Sequence, residues 1–175
     1  ETGCAWVVLN WQMKIIKRPA YNDELTVYTW STSADKLFAE RDFRITDKNG
    51  ETIVIATSRW LYMDINRRRP VRITPEIMDR YESEPETRVF TEKVNRIDPP
   101  DTGYIEIPYN ILRRDVDYLG HMHNISYLDA AYDVMPEEYF NGPQFNFVSI
   151  EYRKELLRND EVKAHFYKID KGCII

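Results

Sequence analysis

The sequence predicts an α+β protein in which long antiparallel strands pack with one long helix. The first supporting observation is a succession of strand-like segments with short connections in residues 5–65, which is typical of an antiparallel sheet. The second is a run of apolar residues at helical spacing in residues 121–135. The third is the sequence Asn-Asp-Glu followed by an aliphatic residue, which occurs at 22–25 and again at 159–162.

The composition argues against several classes of protein. A net charge of −5 disfavours general nucleic-acid binding, because little in the chain could neutralise a long run of phosphates. No apolar run approaches the roughly 20 residues that cross a bilayer, and we expect neither a membrane span nor a signal peptide. Cys4 and Cys173 lack metal-ligand spacing, so we expect a cytoplasmic protein without a disulfide framework. We also expect no cofactor.

The first part of the chain predicts strands in close succession. Each segment is rich in β-branched and aromatic residues. Between the last two segments, Asn49-Gly50 favours a tight hairpin turn, because both residues tolerate positive φ angles. The predicted strands cover residues 5–16, 24–32, 36–47 and 51–65.

The second part of the chain mixes strand and helix signals. Residues 66–103 contain five prolines and mixed charge, and we expect a linker with a short helix near 75–81. The helix predicted at 121–135, which Pro136 ends, is apolar or small on more than one face, so we expect a sheet to wrap around it. The later predicted strands cover residues 104–113, 145–157 and 161–169.

The two Asn-Asp-Glu sequences lie 137 positions apart, and each connects a long strand to the next one. This indicates a duplicated unit, with a first copy at 1–65, a linker at 66–103 and a second copy at 104–175. The same offset places the first copy's opening strand and helix before residue 1, and the second copy's last strands after residue 175. We therefore expect the middle of a two-copy protein whose strands form one continuous antiparallel sheet system.

Residues 117–127, Asp-Tyr-Leu-Gly-His-Met-His-Asn-Ile-Ser-Tyr, resemble the D-x-x-G-H-x-x-N-x-x-Y pattern that opens the helix in hotdog thioesterases. Over residues 6–169 the chain is similar to the acyl-acyl carrier protein thioesterases of plants and bacteria. The resemblance implies a tandem double hotdog, in which each copy wraps a curved antiparallel sheet around a long helix. The segments that carry it are 29–30, 58–73, 115–129 and 150–155.

The resemblance also implies the site residues. Asp117 matches the family's catalytic aspartate, His121 its catalytic histidine, and Glu155 the glutamate of its E-Y-R-x-E motif. Besides His123, which stands where the family usually has an asparagine, the chain departs from the plant enzymes at two positions. Leu119 stands where they have an asparagine, and Leu156 stands where they have a cysteine, which excludes a thiol nucleophile there.

Thioester hydrolysis needs a base, a proton donor and hydrogen-bond donors for the oxyanion. We expect the backbone N–H groups of Gly120 and His121 to stabilise the oxyanion at the N-terminus of the helix. We expect Glu155 on a neighbouring strand, where burial beside Leu156 and Leu157 would make it a stronger base.

Plainer readings exist for each of these residues. Asp115 and Asp117 could simply cap the helix, with His121 a polar residue of the core. His121 and His123 are two positions apart, so on a helix they point in nearly opposite directions, and we predict no metal site. His165 lies on a predicted strand far along the chain, and we expect a structural role for it.

A basic run at 67–72, Arg-Arg-Arg-Pro-Val-Arg, interrupts an otherwise acidic chain. An acidic carrier protein would be attracted to such a run, so we expect Arg67, Arg68 and Arg69 to contribute to carrier binding. The alternative is a solvated turn after the long strand. The sequence does not decide between the two.

Together these features predict hydrolysis of fatty acyl-acyl carrier protein, which releases free fatty acid and terminates chain elongation. The partner would be acyl carrier protein with its acyl chain on phosphopantetheine. The second copy would be catalytic, because the first has Arg18 at the position aligned with Glu155. The alternatives are an acyl-CoA thioesterase and a non-catalytic acyl-binding hotdog protein. Chain-length preference and assembly state, including a homodimer, are left open.

Overall fold

The protein divides into two compact units. Unit 1 consists of the described residues within Glu1–Arg96, together with Asn146–Tyr152. Unit 2 consists of those within Ile97–Phe145 and Arg153–Ile175. The division into two copies and a linker is a different partition of the chain, and it stays a prediction. The residues that the computed structural model describes are 3–91, 97–118 and 120–175.

Antiparallel strands and short helices make up the protein, which confirms the α+β class. The strands are β1 (Cys4–Ile15), β2 (Leu25–Asp35), β3 (Phe38–Asp47), β4 (Thr52–Asp64), β5 (Arg69–Pro70), β6 (Tyr104–Tyr109), β7 (Phe147–Glu151), β8 (Val162–Ile169) and β9 (Gly172–Ile174). The α-helices are α1 (Pro75–Asp79), α2 (Ser126–Asp133) and α3 (Glu137–Phe140), and short 3-10 helices cover Pro85–Thr87 and Arg113–Asp115. None of these described helices has the length and hydrophobicity that a membrane crossing requires.

Unit 1 is built on an antiparallel sheet with the strand order β2-β3-β4-β1-β7, to which β5 adds by pairing with β4. The four long strands predicted in the first part of the chain are confirmed. The middle strand, β4, contributes Ile53, Val54, Ala56 and Tyr62 to the core, and Ile53 is only 1% exposed. The helix predicted near 75–81 is also confirmed, as α1.

The turn between β3 and β4 differs in detail from the predicted Asn-Gly turn. Of the two residues, only Gly50 has a positive φ, of 80°. The Asp47 carboxylate accepts the backbone N–H groups of Asn49 and Glu51 at 2.9 and 3.0 Å. The turn therefore has one residue more than a two-residue hairpin, and its left-handed position is occupied by glycine.

Unit 2 contains a smaller antiparallel sheet with the strand order β6-β8-β9. Phe166 of β8 is its most buried apolar residue, at 3% exposure. The strand predicted at 104–113 ends at Tyr109, and the one predicted at 145–157 covers only Phe147–Glu151. Since β7 pairs with β1 and belongs to the unit 1 sheet, the expected single continuous sheet is wrong for the described strands.

The helix predicted at 121–135 is too long at both ends. Helix α2 covers only Ser126–Asp133, and Pro136 precedes the separate helix α3. His121 and Met122 belong to β-bridges instead of the helix, since Met122 pairs with Val116 and donates its N–H to Leu156 O at 2.8 Å, and residues 124–125 form a turn before α2. Tyr132, one of the apolar residues at helical spacing, is 55% exposed.

The two Asn-Asp-Glu sequences form the same turn. The N–H of Ala20 donates to Asp23 Oδ2 at 2.7 Å, and Asp23 N–H returns a bond to Ala20 O at 3.2 Å. The N–H of Leu157 donates to Asp160 Oδ2 at 2.9 Å, and Asp160 N–H returns a bond to Leu157 O at 3.0 Å. Each turn is followed by a strand that begins two residues later, β2 or β8. The equivalent hydrogen bonds support a duplicated unit.

The pairing of β1 with β7 has the register that a duplication produces. Asn10 pairs with Glu151 at one end, and Lys14 pairs with Phe147 at the other. Residues 10 and 147 lie 137 positions apart, as do residues 14 and 151, so each end pair is the counterpart of the other. The two strands therefore pair as equivalent segments about the central pair of Gln12 and Ser149.

Replacing Gly50 by Ala should destabilise the protein by about 1 kcal/mol, since an L-residue with a Cβ resists the left-handed conformation. No atom lies within 4 Å of the added Cβ, so the cost should come from the backbone alone. The free energy of unfolding in urea measures it. Gly50→Asn is the control, because Asn tolerates this conformation better, and equal losses in the two variants would contradict the explanation.

Candidate active site

Residues 115–123 form a small hairpin in unit 2 that carries two of the predicted site residues. At its base, His123 N–H donates to Asp115 O at 2.7 Å. An antiparallel bridge between Val116 and Met122 follows. Near the tip, Asp117 N–H donates to the backbone oxygen of His121 at 2.9 Å. This ladder of backbone hydrogen bonds holds Asp117 and His121 side by side.

The Asp117 carboxylate is bonded to the hairpin itself. Asp117 Oδ1 accepts the backbone N–H of His121 at 3.0 Å. The backbone oxygen of Asp117 accepts the N–H of Gly120, also at 3.0 Å. Gly120 has a φ of 84°, which a glycine adopts without strain. Local hydrogen bonding therefore fixes the orientation of Asp117, with its negative charge beside His121.

The predicted oxyanion site at a helix N-terminus is wrong in its geometry. Helix α2 begins at Ser126, well after Gly120 and His121. The backbone N–H groups of Gly120 and His121 already donate to Asp117, so they are not directed at a substrate. Leu119, which replaces the asparagine of the plant enzymes, lies outside the described residues.

Glu155 lies beside His121, as the resemblance implied. The distance from Glu155 Oε2 to His121 Nε2 is 3.8 Å. Two backbone contacts bring the segments together, namely a bridge between His121 and Leu157 and the bond from Met122 N–H to Leu156 O. The structure therefore brings Asp117, His121 and Glu155 together.

The surroundings of Glu155 differ from the expectation. Glu155 belongs to the irregular segment that follows β7, and not to a strand. Its side chain is 62% exposed, whereas that of His121 is 28% exposed. The expected burial beside Leu156 and Leu157 is therefore wrong, and Leu157 is itself 46% exposed. Glu155 is open to water, which a base that activates water must reach.

Two further side chains hold the Glu155 segment, and the sequence analysis did not single them out. The Arg153 guanidinium donates to the backbone oxygen of Ile97 and lies 3.7 Å from the Asp98 carboxylate. The Tyr127 hydroxyl donates to Lys154 O at 3.3 Å. Arg153 belongs to the E-Y-R-x-E motif and Tyr127 ends the D-x-x-G-H-x-x-N-x-x-Y pattern, so the motifs contained a signal for both.

Asp115 also has a different role from the helix cap considered above. Helix α2 has no side-chain cap. Asp115 instead is 5% exposed, and its Oδ2 accepts the Leu112 N–H at 2.7 Å and the Tyr109 hydroxyl at 3.4 Å. Burial, followed by the negative charges of Asp115 and Asp133, raises the pKa of Tyr109, so its hydroxyl stays a donor.

In the part of the chain that the structure describes, no three His, Cys, Asp or Glu side chains converge in a way that could hold a metal ion. The helical premise for His121 and His123 is wrong, because both precede α2. His165 lies on β8, with Nε2 3.3 Å from Glu106 Oε2 and its ring stacked on Tyr104 at 4.0 Å. These contacts agree with a structural role for His165.

The arginines predicted to bind a carrier lie in unit 1, at the hairpin between β4 and β5. Arg67 N–H donates to Asp64 Oδ1 at 2.9 Å, and Arg67 Nε lies 3.8 Å from Asp64 Oδ2. Arg68 has a φ of 49°, and Arg69 begins β5. All three are exposed. An exposed turn is expected whether these arginines bind a carrier or are only solvated, so carrier binding stays a prediction.

Comparison with known proteins identifies the class. The model of the acyl-ACP thioesterase N-terminal domain matches residues 1–81, and that of the C-terminal domain matches residues 100–173. The matched residues include every predicted site residue and nearly the whole chain. The chain therefore belongs to the acyl-ACP thioesterase family, as the resemblance implied.

Individual relatives agree with this membership. The chain is 29% identical over 169 residues to oleoyl-acyl carrier protein thioesterase 2, chloroplastic, of Arabidopsis thaliana, covering 91% of this chain and 46% of the relative. It is 27% identical over 165 residues to palmitoyl-acyl carrier protein thioesterase, chloroplastic, of the same plant, covering 91% and 40%. The chain thus spans about half the length of the curated relatives it matches.

Solved structures confirm the hotdog fold. The 12:0-ACP thioesterase from Umbellularia californica superposes with a TM-score of 0.81 at 20% identity, covering 98% of this chain and 68% of that one. An acyl-ACP thioesterase from Bacteroides thetaiotaomicron superposes with a TM-score of 0.78 at 22% identity, covering 94% and 65%. At these identities the likeness concerns the fold.

Amide hydrogen exchange should distinguish the hairpin from a helix start. In the hairpin, the N–H groups of His121, Met122 and His123 are bonded. In the first turn of a helix they would lack intrahelical partners. We expect their exchange to be at least ~10-fold slower than that of an unstructured peptide. Ser126 N–H, which donates to His123 O, is the internal control. Unprotected amides at 121–123 beside a protected Ser126 would contradict the hairpin.

Proposed function

We propose that this chain belongs to an enzyme that hydrolyses the thioester of fatty acyl-acyl carrier protein, releasing free fatty acid and terminating chain elongation. The observation that carries the proposal is the 3.8 Å approach of His121 Nε2 to Glu155 Oε2, beside the fixed carboxylate of Asp117. Family membership and the names of the relatives, which are oleoyl- and palmitoyl-acyl carrier protein thioesterases, support the same substrate.

The geometry supports general-base hydrolysis. Glu155 takes a proton from water, whose oxygen attacks the thioester carbonyl carbon and forms a tetrahedral oxyanion. When this intermediate collapses, the carbon–sulfur bond breaks and the thiol leaves with a proton donated by His121. Asp117 accepts the His121 backbone N–H at its Oδ1 and so holds in place the residue that makes this donation.

The oxyanion needs a donor in this scheme. Since the backbone N–H groups of Gly120 and His121 donate to Asp117, we propose that the His121 imidazole polarises the carbonyl. A thiol nucleophile is excluded at position 156, where the residue is Leu. The partner would be acyl carrier protein, attracted by Arg67, Arg68 and Arg69. A cytoplasmic location stays a prediction of the sequence, and the assembly state stays open.

Replacing Glu155 by Gln keeps the shape of the side chain and removes its basicity. We expect kcat for acyl-acyl carrier protein to fall by at least ~100-fold. The urea midpoint should hardly change, because the Glu155 side chain is 62% exposed. Glu161→Gln, at an exposed glutamate of the same unit, is the matched control. Wild-type turnover in the Glu155 variant would end the assignment of the base.

Reversing the charge of Arg67, Arg68 and Arg69 to Glu should raise KM for acyl-acyl carrier protein by ~10-fold at low salt and weaken its salt dependence. Turnover of acyl-CoA by the same variant should change less, since the carrier's protein surface is absent. Lys48→Glu, at an exposed lysine of the β3–β4 turn, is the control for a single charge reversal elsewhere in unit 1. An unchanged KM at low salt would reduce the run to a solvated turn.

The same assays separate the alternatives. An acyl-CoA thioesterase would hydrolyse acyl-CoA at least as fast as acyl-acyl carrier protein. A non-catalytic acyl-binding protein would bind both without hydrolysing either.

A further inference from the structure

Asp115 is a buried carboxylate that lies outside the three candidate catalytic residues. It is 5% exposed, two positions before Asp117. Removing a carboxylate from water is unfavourable unless hydrogen bonds replace the lost hydration. The groups that satisfy Asp115 therefore indicate what this buried charge holds in place.

The contacts of Asp115 join the end of β6 to the base of the hairpin. Its Oδ2 accepts the Leu112 N–H at 2.7 Å and the Tyr109 hydroxyl at 3.4 Å, and Arg114 Nε lies 3.8 Å from its Oδ1. Its backbone N–H donates to Leu112 O at 3.1 Å. Its backbone oxygen accepts the His123 N–H at 2.7 Å. One residue thus anchors both the incoming and the returning strand of residues 115–123.

The anchor is connected to the candidate catalytic pair by consecutive backbone contacts. From the base, the ladder passes through the bridge of Val116 with Met122 to the pair of Asp117 and His121. On the side away from Asp117, His121 forms a bridge with Leu157, which is two residues from Glu155. A shift at the base would therefore change the distance between His121 and Glu155, and displacements of about 1 Å can cost ~100-fold in rate.

We infer that Asp115 is a positioning residue, whose side chain fixes the base of the hairpin and thereby holds His121 against Glu155. This inference rests on the proposed function. Asp115 is not a catalytic residue, because its carboxylate is occupied by Leu112 and Tyr109.

The chain offers a matched control for this role. Asp23 accepts the N–H of Ala20 at 2.7 Å and donates its own N–H to Ala20 O, which is the same pair of bonds that Asp115 forms with Leu112. Asp23 belongs to unit 1, whereas all three candidate catalytic residues belong to unit 2. A variant at Asp23 therefore loses the same turn without touching the hairpin.

The test compares Asp115→Ala, Asp115→Asn and Asp23→Ala in purified protein that contains the whole chain. In Asp115→Ala we expect kcat to fall by at least ~10-fold while KM stays within about twofold, because alignment is lost and binding is kept. Asp115→Asn keeps an acceptor for Leu112 N–H, so it should recover kcat to within about threefold of wild type. Asp23→Ala should leave kcat unchanged.

Amide exchange at His123 supplies a readout that does not depend on activity. Its rate should rise by about tenfold in Asp115→Ala and stay at the wild-type value in Asp23→Ala. If Asp115→Ala fails to fold, Tyr109→Phe and Asp115→Asn provide the graded comparison, in which Tyr109→Phe should lower kcat with KM unchanged.

The outcomes separate this inference from the proposed function. A wild-type protein that hydrolyses no acyl thioester ends the proposed function, while His123 exchange still reports on the anchor. An active wild type whose Asp115 variants keep full kcat, or in which Asp23→Ala loses as much, overturns the positioning role.

Discussion

The candidate site depends on the short backbone pairing of residues 121–122 with residues 156–157. Met122 N–H donates to Leu156 O at 2.8 Å, and His121 forms a bridge with Leu157. Because backbone hydrogen bonds set the spacing of paired segments, this contact places the side chain of Glu155 within 3.8 Å of His121. Without it, the two residues would belong to separate loops.

Aspartates that accept nearby backbone N–H groups recur in the turns of this protein. They stabilise a turn because a short carboxylate reaches the backbone a few residues away. At most positions this interaction is purely structural, whereas at Asp117 it also places a negative charge beside His121. The aspartates in question are Asp23, Asp47, Asp64, Asp115, Asp117 and Asp160.

The duplicated sequence explains both the likeness and the difference of the two copies. The turns at Asp23 and Asp160 have equivalent hydrogen bonds, so the local structure is shared. Five residues before each aspartate, however, the chain has Arg18 in one copy and Glu155 in the other. Two copies with the same turn but different neighbouring residues allow one copy to supply a base while the other supports the fold. This arrangement agrees with the proposed single site in the second copy.

The sequence by itself determined the long strands and the α+β class, because alternation is a local property of the chain. The resemblance of its motifs implied the family and pointed to Asp117, His121 and Glu155, whose catalytic roles stay a prediction. The sequence placed the helix start wrongly, since the spacing of Met122 and Ile125 suits a helix as well as a loop. It also placed Glu155 on a buried strand. Only the tertiary structure decided these points, because the partners of residues 121–122 lie on a segment distant in sequence, and periodicity contains no information about such pairing.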